Sequence, residues 1–230
     1  MTDSESLLQF VESINSCGQL WLDNFDMDSF DLLQGIEREQ ALEMILGQLV
    51  AGDARAARAL AQIGDFRYIV QLKNALSASE DEMRVEIARA LNQLGAGDGM
   101  QTVILEVLHS LEPSDRVSAA YALAEFRSME SYIALLETIR SDRENEVRTA
   151  AAISLMLLSG IMSNPLDPAC GDVLIRLAEG GTVEWEAVAE EFIGRLNVDC
   201  SRCGCCGAIG DRPLVVCSRC GTDLRGEHNK

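Results

Sequence analysis

The stretch "MRVEIARALNQLG", residues 83–95, returns in altered form as "ARAARALAQIG" (54–64), "DRVSAAYALAEF" (115–126) and "VRTAAAISLMLL" (147–158). Leu60, Leu91, Leu123 and Leu155 stand 31, 32 and 32 residues apart, and Arg84, Arg116 and Arg148 stand 32 and 32 apart. A fixed period of this size marks stacked supersecondary units, each of which buries its apolar face only against its neighbours.

Every unit adds a second apolar helical stretch: "FRYIVQLKNAL" (66–76), "MQTVILEVLHSL" (100–111), "SYIALLETIR" (131–140) and "CGDVLIRLAEG" (170–180). Turn signals separate the stretches, with "GD" at 64–65, "GAGDG" at 95–99, "EPSD" at 112–115 and "SDREN" at 141–145. The small residues Ala88, Ala90, Ala120, Ala122, Ala151 and Ala152 allow neighbouring helices to approach closely, and the aligned Leu fills the remaining space. The repeating unit is therefore a helix pair. The recurring Arg anchors the turn between helices by bonding local carboxylates and carbonyls.

Composition agrees. Aromatic residues make up only 5% of the 230-residue chain, which favours packed helices over a β-sandwich. The start, "MTDSESLLQF", is acidic and lacks the basic and apolar regions of a signal peptide. No apolar run approaches the roughly 20 residues that span a bilayer. The expected location is cytoplasmic, where thiols stay reduced and clustered cysteines bind metal more often than they pair.

The net charge is −18 and is unevenly spread. Residues 200–230 hold five bases and three acids, which leaves 14 bases and 34 acids, a formal −20, in residues 1–199. Such a surface repels nucleic-acid phosphates and attracts a basic protein.

The repeats resemble the short HEAT-like repeats first associated with phycobiliprotein lyases. The family motif, Val-Arg followed by Ala-Ala and Ala-Leu and ending near Leu-Gly, is seen best at Val147, Arg148, Ala151, Ala152, Leu155 and Leu158. Met83, Arg84, Ala88, Ala90, Leu91, Leu94 and Gly95 carry it in the second unit. The resemblance implies an all-α protein, an α-solenoid of stacked helix pairs over residues 53–198, with "WEAVAEEFIGRL" (185–196) as a degenerate fifth unit after an insertion. It is nearly silent on function, because sites are grafted onto folds.

Residues 1–52 read as the atypical cap that a solenoid requires at its first face. Inside them, "WLDNFDMDSFDLL" (21–33) alternates acids with bulky apolar groups. Trp21, Phe25 and Phe30 are expected inward, and Asp23, Asp26, Asp28 and Asp31 outward, available to a basic partner with aromatic anchors nearby. An EF-hand loop is excluded, since counting from Asp23 or from Asp26 places an aspartate, not the required Gly, at the sixth position.

The third segment, 199–230, holds six of the eight cysteines. A structural zinc needs four thiolates, delivered as two CxxC turns brought together by a hairpin. The pair Cys217–Cys220 is unambiguous, whereas Cys200–Cys203 and Cys203–Cys206 compete for Cys203. Ten residues, "GAIGDRPLVV" (207–216), separate Cys206 from Cys217 and suit a short hairpin with Gly210 and Pro213 at the bend and Leu214–Val216 as a strand. The stretch also resembles the zinc-ribbon module, with Cys217, Cys220, Gly221 and Leu224 matching its second turn. It departs from that pattern at Cys205, inside the first turn, and at Val216, where an aromatic is common. Both arguments favour Cys203, Cys206, Cys217 and Cys220 around one structural zinc, and Cys200 remains the rival for Cys206.

Catalytic signatures are missing. The only histidines are His109, expected to be a partly buried helix residue, and His228. No phosphate-binding or dinucleotide-binding glycine motif occurs. The His-Glu pairs of HEAT-like deoxyhypusine hydroxylases are absent, and −20 contradicts the basic face of HEAT-like DNA glycosylases. The chain reads as a non-enzymatic adaptor or scaffold. The alternatives are an acidic inhibitor or immunity protein that neutralises a basic toxin or nuclease, and a lyase-related or chaperone-like protein. For the metal, elemental analysis should find one zinc per purified chain, lost in Cys206→Ser and Cys217→Ser and kept in Cys200→Ser; loss in Cys200→Ser with retention in Cys206→Ser would establish the rival register.

Overall fold

The structure, a computed structural model, describes residues 4–16, 24–159, 171–196, 200–202 and 209–211. The chain forms two compact units, residues 1–110 and 111–230, and the boundary falls inside the segment of repeats.

The first unit holds α1 (Glu5–Asn15), α2 (Met27–Leu32), α3 (Gly35–Ala51), α4 (Ala54–Ile63), a single 3₁₀ turn (Phe66–Tyr68) leading into α5 (Ile69–Leu76), α6 (Asp81–Gln93) and α7 (Met100–Val107). The Ala-rich helices α4 and α6 lie side by side, and α6 also packs on α5 and on its own partner α7. Local chemistry sets the boundaries. The Asp53 side chain caps α4 by accepting from the Arg55 N–H at 2.9 Å. Gly64, at φ 72°, ends α4 in the left-handed conformation, its N–H returning to the carbonyls of Leu60 and Ala61.

The second unit holds α8 (Pro113–Leu123), α9 (Met129–Ser141), α10 (Asn145–Ser159), α11 (Gly171–Glu179) and α12 (Thr182–Leu196), followed by strands β1 (Cys200–Arg202) and β2 (Ile209–Asp211). Pro113 opens α8, where its missing N–H costs nothing. The Ala-rich α10 packs on α8, α9 and α11. Within each unit the stacking is that of an α-solenoid.

The periodic residues form the core. Leu60, Leu91, Leu123 and Leu155 are fully buried, as are Ala88, Ala120, Ala151 and Ala152. Small side chains bring the first helices of successive pairs close enough for a direct bond: Gln93 Nε2 of α6 donates to the Ala61 carbonyl of α4 at 3.3 Å.

Three expectations are corrected. α12 packs chiefly on α9 and α11, the second helices of their pairs, instead of opening a fifth pair beside α8 and α10. Its Phe192, 37 residues beyond Leu155, is out of step with the period and is buried. His109 is exposed, because α7 stops at Val107 and the histidine falls in the turn beyond it. Gly210 pairs with Ser201 inside the antiparallel β1–β2 ladder and so does not form the bend expected of it. Pro213 and Leu214–Val216 lie outside the described residues.

The aligned leucines set the stability of the stack. Leu123→Ala should cost about 3 kcal/mol by urea denaturation, from lost transfer energy and an incompletely collapsed cavity.

Candidate functional site

The repeated arginines share one geometry. In an antiparallel pair, the start of the first helix lies beside the end of the second, where carbonyls lack intrahelical partners and the helix dipole is negative. Arg84 of α6 bonds Glu106 near the end of α7 at 2.6 Å, and Asp81 at 3.3 Å. Arg116 of α8 grips Asp142, the cap of α9, through two bonds of 2.8 and 3.0 Å, and donates to the Leu111 carbonyl. Arg148 of α10 is 3% exposed; it donates to the carbonyls of Asp142 and Arg143 at 2.9 Å and to that of Leu177 in α11 at 3.2 Å. Its guanidinium also lies 3.7 Å from the centre of the Trp185 ring of α12.

Arg55, which has no place in the period, does the same for the cap. It donates to the carbonyls of Ser13, Ile14 and Ser16 at the end of α1. These arginines hold turns and helix ends together.

Electrostatics follow from the contacts. The bond to Asp142 raises Arg116 above the ordinary arginine value. Burial works against charge on Asp142, but the bonds from Arg116 and from the Glu144 N–H outweigh it and hold the carboxyl below 3.8. Desolvation pulls Arg148 down, opposed by the nearby carboxylates of Asp142 and Glu144.

Charge pairs also seat α12. Arg140 of α9 meets Glu186 and Glu190 at 3.1 and 2.7 Å. Arg176 of α11 meets Glu191 at 2.7 Å and Glu184 at 2.9 Å, and those bonds raise it above its ordinary value. Beneath these pairs, Val188, Ala189 and Phe192 are buried.

The acidic segment divides between structure and surface. Phe25 and Phe30 are buried, joined by Phe10 of α1, whose ring centroid lies 6.2 Å from Phe25 and 5.5 Å from Phe30. Phe10 was not anticipated from the sequence, although "LLQF" (7–10) followed by Ile14 carries a helical apolar spacing. Arg38 and Arg55 sit over the Phe30 and Phe25 rings at 4.3 and 4.8 Å. Asp26 caps α2, accepting from the Ser29 N–H at 3.0 Å and the Ser29 Oγ at 2.6 Å, and the side-chain bond leads in holding its pKa below the ordinary value. Asp28 and Asp31 are exposed. Asp23 and Trp21 lie outside the described residues.

The expected zinc ligands Cys203, Cys206, Cys217 and Cys220 also lie outside them. Among the described residues no cluster of His, Cys, Asp and Glu could hold a metal, and no helix is long and apolar enough to cross a membrane.

The first unit carries one further feature that the repeat pattern does not announce. A trough of about 990 Å³ runs over the end of α3, the start of α4, the second part of α5 and the start of α6. Val50, 87% exposed, stands on one wall; Gln71 and Asn74 of α5 stand on another; Ala75 and Ala78 leave the space between them open.

Residues 54–78 match the family model described as PBS lyase HEAT-like repeat. The match spans α4, the 3₁₀ turn and α5, one complete helix pair. No curated protein matches the chain. The matched pair is the first of the repeats, not the one beginning at Val147 in which the motif residues are most complete.

The Arg116–Asp142 bond makes stability depend on pH. With the folded pKa of Asp142 depressed, its contribution is present above 3.8, the ordinary value, and is lost as pH falls through the lower folded value. Asp142→Asn should therefore cost about 2 kcal/mol at pH 7. In urea titrations its gap from the wild type should close as pH approaches 2.

Proposed function

We propose that the chain is a non-enzymatic protein-binding scaffold that recruits a basic partner through its acidic helical-repeat surface, with a zinc ribbon at residues 199–230 as a structural or second contact module. The use of the arginines carries this reading. Arg55, Arg84, Arg116 and Arg148 are spent on helix ends and turns, while Asp28 and Asp31 stay exposed. These four bases are held against helix ends and turns, which leaves fewer cations to offset the exposed acids. The resulting negative field steers a cationic protein and speeds its encounter.

In the ribbon, Cys203, Cys206, Cys217 and Cys220 hold one zinc and replace the core that so short a segment cannot build. The antiparallel pairing of β1 with β2, with Cys200 opposite Asp211, supports a small hairpin module in this segment.

Affinity capture from native lysate at low and physiological salt, read by mass spectrometry, tests the scaffold. Several basic proteins should be retained at low salt and weakened in Asp28→Asn/Asp31→Asn. One stoichiometric basic protein would instead identify an inhibitor. Capture of no basic protein at either salt would overturn the reading.

A further inference from the structure

Resting on the scaffold reading, we infer that the trough of the first unit binds an extended, Lys- or Arg-bearing segment of the partner, whose main chain is held by Gln71 and Asn74. The trough lies wholly within residues 46–83 and measures about 990 Å³, the upper end of ligand clefts. Its apolar wall residue Val50 is 87% exposed and contributes nothing to the core. Ala75 and Ala78 present so little side chain that a second backbone can approach α5 closely.

The polar groups specify what lies there. Gln71 and Asn74 are exposed, and neither side chain bonds another group among the described residues. They stand three residues apart on one helix, so their side chains start about 5–6 Å apart on the same face. Each carboxamide carries a donor and an acceptor. An extended chain presents an N–H and a C=O along one edge at a repeat of two residues, about 6.6 Å. Two flexible carboxamides one helical turn apart can pair with consecutive groups along that edge. A helical ligand has its backbone bonds already made and would leave both carboxamides unanswered, so an extended segment is the better fit.

Charge gives the sign. Two cations reach the trough, and both are engaged elsewhere: Arg55 with Asp53 and the end of α1, Arg58 with Glu86 at 3.4 Å and Asn24 at 3.1 Å. Glu80 and Glu82, by contrast, are exposed lining residues with no ion-pair partner among the described residues. Asp81 lies in the first turn of α6 and pairs with Arg84; Glu82 is a second acid of that turn, and Glu80 stands at the N-cap without a side-chain capping bond. Glu80 and Glu82 are placed to receive the ligand's cationic side chains, and an acidic segment is rejected.

The test uses the full chain, isotopically labelled, and a blocked heptapeptide alternating Lys and Val. Its Glu/Val counterpart and a version N-methylated on alternate residues serve as controls. The Lys/Val peptide should shift the side-chain amide signals of Gln71 and Asn74. Gln71→Ala/Asn74→Ala and the N-methylated peptide should each weaken binding about tenfold, as loss of two hydrogen bonds requires. Glu80→Gln/Glu82→Gln should weaken binding and flatten its salt dependence, and the Glu/Val peptide should leave the spectrum unchanged. Unmoved amide signals, or equal affinity for the Gln71→Ala/Asn74→Ala variant, would overturn the proposal. Should the Lys/Val peptide bind while its shifts fall around Asp28 and Asp31, the trough assignment fails and the scaffold stands; the scaffold itself falls only with the lysate capture.

Discussion

The end of a helix leaves carbonyls without partners and a partial negative charge, and stacking helix pairs forces such ends into contact with other protein instead of water. Answering that constraint with an arginine from the neighbouring helix shapes the rest of the molecule. Arg84, Arg116 and Arg148 each sit at the start of a first helix and reach the end of the second helix in the same pair. Guanidinium suits the task because its planar fork bonds several oxygens at once and tolerates partial burial beside an aromatic face. Arg148 uses both properties, bonding backbone carbonyls while lying against Trp185. The period of 32 is thus a period of bonding geometry as much as of apolar packing.

That answer has an electrostatic consequence. A chain with 37 acids and 19 bases that commits Arg55, Arg84, Arg116 and Arg148 to helix ends has few bases left to offset its surface acids. Some carboxylates are recruited back: Asp142 to Arg116, the glutamates of α12 to Arg140 and Arg176, Asp26 to its own helix start. Others, including Asp28, Asp31, Glu80 and Glu82, are left exposed. Bonded and exposed acids are therefore separated by whether an arginine or a helix start lies within reach, not by residue type. The described aspartates of the N-terminal segment illustrate this, since Asp26 differs from Asp28 and Asp31 in its position at the start of α2.

The repeat was legible because its signal is strong and local. Leu60, Leu91, Leu123 and Leu155, with the alanines beside them, form the buried faces that their spacing predicts, and the recurring Arg binds turns as expected. Other features depend on which partner a helix meets, and spacing does not encode that. The apolar pattern of α12 was read correctly as helical, yet its glutamates, matched to arginines on α9 and α11, decide where it packs. Phe10 belongs to a short helix whose significance appears only when Phe25 and Phe30 fold back onto it. The trough was illegible for a related reason: it is bounded by helix ends from α3 to α6 and is defined by the smallness of Ala75 and Ala78. His109 was misplaced by a helix end two residues earlier than the apolar pattern suggested.

The recurring arginines are fixed on helix ends and are not held out as a cationic surface. Nitrogen-detected NMR of the arginine side chains measures this directly. Fixed guanidinium groups rotate slowly about Nε–Cζ, so Arg116 and Arg148 should give separate, slowly exchanging Nη signals at pH 7 that persist in physiological salt. Averaged signals indistinguishable from those of free arginine would contradict the account, because groups free to rotate cannot be bonded to Asp142 or to the carbonyl of Leu177 in the manner described.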